Sequence, residues 1–346
     1  MSYRTPRTRA GKVSEIRDAL MASRTAVLTT HLNADGDGAG SEAAVSAWMR
    51  ANGTDVWIIN PTPFPDTFRY LVQEDEWIVS AGSSKARKIC ARADLAVVLD
   101  TGEIPRIGRV RDMIRDIPTV VIDHHPPGDR AIQGLSLRDD TACATGELVY
   151  DVIQAANGPW SDHIAAGIYV AILTDTGGFR FSNSTPEAHQ IVADCIARGV
   201  EPEEQYDRVY GAAPLRKYHL LRHALASLDA DEELGITWMV VPQEEYESLE
   251  AGPEDLEGMV DVPRSVDGTN VGLLFRMAQN GEVKVSFRSN GPVDVNQLAR
   301  RFGGGGHVKA SGAMVHGPMS DAIDKVVAAT RDAVAREFGR GEGQNA

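Results

Sequence analysis

Four segments of the chain end an apolar run in residues able to bind a metal ion. The first, His31-Leu32-Asn33-Ala34-Asp35-Gly36-Asp37-Gly38, follows Ala26 to Thr30 directly. It carries His31, Asp35 and Asp37, and its glycines are expected to let a tight loop turn all three toward one point. Asp100 closes Leu95 to Asp100 and precedes Thr101-Gly102; Asp123-His124-His125 closes Thr119 to Asp123; Asp175 closes Tyr169 to Thr174 and precedes Thr176-Gly177-Gly178. A lone aspartate in such a place is ordinarily a cap or a turn residue. Four together are hard to explain as caps. Burying so many carboxylates side by side without cations is prohibitive, because each raises the free energy of its neighbours. Divalent metal is the economical solution, and oxygen donors with a few imidazoles favour Mn²⁺ or Mg²⁺ over zinc-thiolate chemistry. Two such ions, roughly 3.5–4 Å apart, generate hydroxide and hold the entering and leaving oxygens of a phosphoryl transfer.

The elements that must position these residues alternate. Ala26 to Thr30, Val56 to Asn60, Leu95 to Asp100 and Thr119 to Asp123 read as strands, the last two nearly all apolar as in a parallel sheet buried on both faces. Glu42 to Arg50, Gly146 to Ala156 and Asp162 to Asp175 read as helices. The pattern is α/β, with ligands expected in the crevice beyond the carboxyl ends of the strands. Pro186 to Asp229 is helical and charged. Beyond it, strands are expected at Gly235 to Val241, Thr269 to Met277 and Glu282 to Ser289, the last two joined by an Asn280-Gly281 turn. Helices at Val295 to Phe302 and Asp321 to Phe338 complete a smaller α+β domain. We read residues 13–200 as the catalytic domain, 201–229 as a helical linker, 230–338 as the substrate-binding domain and 339–346 as a polar tail.

At 346 residues two domains are expected, and 42% hydrophobic with 24% charged residues suits a globular protein. The apolar runs are strand-length, too short to span a bilayer. Met1 to Lys12 is basic and polar with no apolar run after it, and reads as a disordered arm and not a secretion signal. Cys90, Cys143 and Cys195 are scattered, which suggests neither disulfides nor a thiolate site and fits the cytoplasm. A net charge of −14 argues against a protein that coats long nucleic acid. Yet Glu282 to Ala310 holds Lys284, Arg288, Arg300, Arg301 and Lys309 against Glu282 and Asp294 alone. Within it, Gly303 to Gly306 beside His307 allows backbone N–H groups to approach phosphate oxygens, and Arg288 suits a bidentate hold on phosphate.

The four segments resemble the DHH phosphoesterase superfamily, named for the triplet that stands here as Asp123-His124-His125. The resemblance runs from about Val13 to Phe338. Arg288-Ser289 and Gly303-Gly304-Gly305-Gly306-His307-Val308-Lys309-Ala310-Ser311-Gly312 are similar to the DHH-associated C-terminal domain. Thr145-Gly146-Glu147-Leu148-Val149-Tyr150 and Gly258-Met259-Val260-Asp261 are similar to the nanoRNase/pAp-phosphatase branch. The resemblance implies that His31 and Asp35 hold one Mn²⁺, that Asp37, His124 and Asp175 hold another, and that Asp100 bridges them. It implies a catalytic role for His125 beside the scissile phosphate and for Asp123 within the triplet, with Arg288, Ser289, Gly304, Gly305, Gly306 and His307 binding substrate. Homodimers are implied too. The sequence departs from many relatives at Asn33-Ala34 and at Pro126-Pro127-Gly128, changes that remove no ligand but alter loop shape.

The expected activity is Mn²⁺-dependent hydrolysis (Mg²⁺ being permitted by the same ligands) of short oligoribonucleotides to mononucleotides, and of 3′-phosphoadenosine 5′-phosphate to AMP. A phosphodiesterase of cyclic or linear di-nucleotide messengers is the alternative within the same chemistry. A non-catalytic nucleotide sensor is the alternative outside it, opposed by the completeness of the ligand set.

Overall fold

The computed structural model describes residues 3–211, 213–278 and 281–339, and the chain divides into two compact units, Met1–Ala212 and Ala213–Ala346. In the first, helix α1 (Arg7–Ala22) leads into β1 (Thr25–Thr29), α2 (Gly36–Ala51) and β2 (Asp55–Ile58). There follow α3 (Ser84–Cys90), β3 (Leu95–Leu99), α4 (Val110–Met113), β4 (Thr119–Asp123) and β5 (Leu135–Arg138). Helices α5 (Thr145–Ala155), α6 (Asp162–Asp175), α7 (Pro186–Ala197) and α8 (Pro202–Tyr206) close the unit. The five strands form one sheet, ordered β2-β1-β3-β4-β5 and parallel throughout.

Alternate strand residues enter different cores, which is why these strands read as unbroken apolar runs. Leu28, Val97, Leu99, Val120 and Ile122 pack with Ile16, Trp48, Leu148 and Ile168 on one face. Val27, Val98 and Val121 pack with Ile89, Ile107 and Val110 on the other. A sheet covered on both faces tolerates no polar residue in its strands until they end. The metal-binding residue types therefore fall at the carboxyl ends.

The glycines after His31 do something other than turn a loop. Gly36 opens α2, and Gly36, Gly38 and Gly40 lie in the helix with no positive φ. Their missing side chains permit close packing instead. A β-carbon on Gly36 would strike the Thr174 side chain, one on Gly38 would lie 2.6 Å from Thr30 Oγ1, and one on Gly40 would overlap the Gly167 carbonyl of α6. Gly167 meets Gly40 in the same way, so α2 and α6 cross backbone to backbone.

From residue 3 onward the amino-terminal stretch is likewise no disordered arm. Helix α1 begins at Arg7, and Arg9 is buried because Asp139, Glu147 and Asp151 all meet its guanidinium. Reading Met1 to Lys12 by polarity alone missed these partners, which lie far along the chain. Strand β5 also went unread, since Leu135–Arg138 is short and mostly half-buried.

In the second unit, α9 (Leu215–Leu225) precedes β6 (Asp229–Asp231), β7 (Ile236–Val241), α10 (Gln243–Ser248) and α11 (Asp261–Arg264). Then come β8 (Val271–Met277), β9 (Val283–Ser289), α12 (Val295–Arg300), β10 (Gly305–Gly306), β11 (Ala310–Val315) and α13 (Met319–Gly339). The sheet runs β10-β11-β9-β8-β7-β6, mixed because β7 and β8 are parallel while the other pairs are antiparallel. Strand β9 alternates as half-buried strands do: Val283, Val285 and Phe287 face a core shared with α12 and α13, while Lys284, Ser286 and Arg288 alternate with them. The Asn280 of the expected turn and the tail beyond residue 339 lie outside the described residues. Among the described residues no helix is long and apolar enough to cross a membrane.

The glycine contacts predict opposite signs for one kind of substitution. Gly40→Ala should destabilise the chain by about 1–3 kcal/mol, because backbone must move aside. Gly11→Ala, at an exposed site on α1 with nothing within 4 Å, should stabilise it by roughly 0.5–1 kcal/mol. Urea denaturation midpoints at matched slope measure both.

Candidate metal centre

Five carboxylates and three imidazoles converge at the carboxyl edge of the parallel sheet. Asp35 caps α2, its Oδ1 accepting from the N–H groups of Asp37 and Gly38 at 3.1 Å each. Asp100 follows β3 with φ of 59°, a left-handed backbone that is uncommon outside glycine and that concentrates at functional sites. Asp123, His124 and His125 end or follow β4, and Asp175 ends α6.

Asp100 stands between two groups of donors. Its Oδ2 lies 3.1 Å from His31 Nε2, which is itself 3.6 Å from Asp35 Oδ2. Its Oδ1 lies 3.7 Å from His124 Nε2 and 3.5 Å from His125 Nδ1. His124 Nε2 in turn is 3.6 Å from both Asp37 Oδ2 and Asp175 Oδ2. The donor atoms of His31, Asp35 and Asp100 lie within 4.8 Å of one another, as do those of Asp37, His124 and Asp175. Apart from the His31–Asp100 hydrogen bond at 3.1 Å, the separations of 3.5–3.7 Å suit a shared cation better than direct hydrogen bonds, which weaken beyond about 3.2 Å.

Backbone contacts fix the tautomers. His31 Nδ1 donates to the Leu32 carbonyl at 2.9 Å and His124 Nδ1 to that of Ala142 at 3.2 Å. In each ring Nε2 is thereby turned toward the carboxylates, as outer-shell partners of metal-bound histidines do. His125 differs, for its Nδ1 meets Asp123 Oδ1 at 2.9 Å and its backbone N–H donates to the same oxygen. Asp123 thus orients His125.

Burial raises the pKa of Asp100 well above the carboxylate range, and the neighbouring Asp37 and Asp35 push it further. Asp37 is raised too, burial outweighing the attraction of His124. Burial opposes a charged His31, yet Asp35 and Asp100 together raise its pKa. Burial brings His125 down to about 4, helped by His124 and Arg106 against the pull of Asp123. Burial and mutual repulsion thus oppose the charged forms of Asp37 and Asp100. Oxygen and imidazole donors gathered in this way, buried except for Asp35 and part of Asp175, fit a divalent ion.

Several residues that build the site carry no metal-binding signal in sequence. Thr145 and Gly146, at the start of α5, donate backbone N–H bonds of 2.6 and 2.9 Å to Asp37, and Thr145 Oγ1 donates to Asp100 at 3.1 Å. Asn183 donates to the Asp175 carbonyl at 3.2 Å. Asn60 accepts from the Thr30 N–H and donates to Glu42, whose carboxyl burial pushes up to about 8. Backbone donors are independent of residue type, so no pattern of side chains could have found them.

The second unit gathers the other expected residues around one end of β9. Arg288 and Ser289 end that strand, and Ser289 Oγ donates to the Val293 carbonyl at 2.7 Å. Gly305 and Gly306 form β10 against Gly312 and Ser311. Gly304 and Gly306 have no room for a β-carbon, since each would strike the backbone of β11. The His307 N–H donates to the Ala310 carbonyl at 2.8 Å, closing the hairpin.

Known proteins carry the same design. Residues 25–172 match the DHH family, N-terminal domain, and residues 240–336 match the DHHA1 domain. The bifunctional oligoribonuclease and PAP phosphatase NrnA of Thermus thermophilus is 32% identical over 311 residues, covering 89% of this chain and 90% of that protein. The protein of the same name from Bacillus subtilis is 26% identical, over 88% of this chain and 93% of that one. An exopolyphosphatase-related protein from Bacteroides fragilis shares the fold with a TM-score of 0.83 at 24% identity, covering 94% of this chain and 96% of that one. RecJ from Thermus thermophilus, solved with Mn²⁺, superposes with a TM-score of 0.53 at 15% identity over 97% of this chain and 56% of that one. The chain belongs to the DHH family of phosphate-ester hydrolases, in the branch that holds the bifunctional oligoribonuclease and PAP phosphatase relatives.

Proposed function

We propose that this hydrolase uses two Mn²⁺ ions to release mononucleotides from short oligoribonucleotides and to remove a phosphate from 3′-phosphoadenosine 5′-phosphate, leaving AMP. The observation that carries the reading is the position of Asp100, with one oxygen toward His31 and Asp35 and the other toward His124. In this reading His31 and Asp35 would hold one ion, Asp37, His124 and Asp175 would hold the other, and Asp100 would serve as a ligand to both. The substrate choice follows the named activities of the Thermus thermophilus and Bacillus subtilis relatives, which match along most of their length.

When bound, the ions supply Lewis-acid stabilisation of the phosphoryl oxygens and a water acidic enough to attack near neutral pH. The protein's part is alignment and charge. Thr145 and Gly146 hold both Asp37 oxygens through backbone N–H groups, so that carboxylate keeps its orientation. In this reading His125, its Nδ1 held by Asp123, acts beside the scissile phosphate as a proton carrier. In the second unit, Arg288, Ser289, the Gly304-Gly305-Gly306 backbone and His307 are the phosphate-binding groups of this reading.

Metal-stripped protein given 5′-phosphorylated diadenylate should yield mononucleotide only when Mn²⁺ is added, and Asp100→Ala should yield none under the same conditions. Product without metal, or from Asp100→Ala at the parent rate, would sink the two-ion reading. His125→Ala should lower kcat by roughly 10²–10⁴-fold while Mn²⁺ affinity, measured by calorimetry, stays near that of the parent. An unchanged kcat would remove His125 from the chemistry. A dinucleotide should be turned over faster than a long oligomer at equal concentration, and equal rates would argue against a site made for short substrates.

A further inference from the structure

Arg9 is the one arginine of α1 with a fully enclosed head group: it is 4% exposed and meets three carboxylates. Nε lies 2.7 Å from Asp151 Oδ2, Nη1 2.9 Å from Asp139 Oδ2 and Nη2 2.5 Å from Glu147 Oε1. Tyr3 and Thr5 donate their hydroxyls to Asp151 Oδ1 at 2.9 and 2.6 Å. Buried ion clusters seldom stabilise a fold more than apolar packing of the same volume. Fold stability alone is therefore a weak reason for this one.

Glu147 supplies a better reason. One of its oxygens receives Arg9, and the other accepts the Cys143 N–H at 2.9 Å. Cys143 lies in a collar, residues 142–146, that touches the carboxylate and histidine cluster again and again. The Ala142 carbonyl holds His124 Nδ1. The Cys143 carbonyl accepts from Asn183 at 2.8 Å, and Asn183 also reaches Asp175. Thr145 and Gly146 hold Asp37, and Thr145 holds Asp100. Four of the donors grouped above therefore rest on this collar, and Glu147 anchors its Cys143 N–H.

We infer that Arg9 is a positioning residue for the metal centre, fixing Glu147 so that the collar presents Asp37, Asp100, His124 and Asp175 together. The inference rests on the reading of that cluster as a cation site. Without the guanidinium, Glu147 is a buried carboxylate beside Asp139 and Asp151. With no cation facing it, the side chain swings away from the other two carboxylates, which loosens its hold on the Cys143 N–H.

Three variants test this, with Arg9→Lys as the conservative check. Arg9→Met and Glu147→Gln should each weaken Mn²⁺ binding by roughly tenfold to a hundredfold in calorimetry, the range for losing an outer partner of a metal ligand. Arg9→Lys should recover part of that loss. Asp151→Asn disturbs the far side of the same cluster, so it should lower the thermal midpoint yet leave Mn²⁺ affinity within about threefold of the parent. A purely structural role for Arg9 instead makes metal affinity follow thermal stability in all the variants, and that result overturns the inference. Should Arg9→Met fail to fold, Glu147→Gln decides, because it keeps the pairs of Arg9 with Asp139 and Asp151. Hydrogen exchange in metal-free protein separates this inference from the metal reading itself. Faster exchange at the Cys143, Thr145 and Gly146 amides in Arg9→Met or Glu147→Gln, but not in Asp151→Asn, supports it even if the parent chain binds no Mn²⁺. Unchanged exchange there overturns it.

Discussion

Mutual repulsion among buried carboxylates is the constraint around which the first unit is arranged. Asp37 and Asp100 are almost wholly removed from water, and Asp35 and Asp175 stand near them. In a poorly polarisable interior such a group is tolerable only if something positive, or something able to donate hydrogen bonds, faces every oxygen. The parallel sheet meets the first need by bringing strand ends with His31 and His124, whose pKa values the carboxylates raise, to one edge. The amino-terminal end of α5 meets the second, since its unpaired N–H groups point at Asp37 where helix ends welcome negative charge.

Precision at that edge depends on packing some distance below it. Helices α2 and α6 carry Asp37 and Asp175 at opposite ends of their own sequences, Asp37 at the start of one and Asp175 at the close of the other. The Gly40–Gly167 crossing sets their separation by backbone contact, with no flexible side chain between. Close-packed interiors transmit displacement instead of absorbing it. A shift at that crossing is therefore felt at both carboxylates.

Much of this was readable beforehand, for reasons that differ from residue to residue. Thr119–Asp123 announced itself because a doubly covered strand has no room for polarity until its last residue, and the observed strand has those bounds. The triplet and the lone aspartates stood out against apolar neighbours, and the structure brings them together. Arg9 could not be read, since its polarity pointed to solvent and its three partners lie 130 to 142 residues away. The role of Gly36, Gly38 and Gly40 was misread because a glycine shows only that a side chain is missing. Whether that absence frees φ or admits a neighbour depends on what packs there, and here Thr174, Thr30 and Gly167 do. Thr145-Gly146 stood out only as part of a motif, and its hold on Asp37 was not legible there, being made by backbone N–H groups that nearly every residue has.

The strand order β2-β1-β3-β4-β5 has a consequence in time. Parallel neighbours cannot be joined by a short turn, so each pairing waits for a whole crossover segment to be made. During synthesis the chain emerges from its amino terminus, and His31 is available long before α6 delivers Asp175. The full set of carboxylates can therefore gather only once α6 has been made, because Asp175 is its last residue.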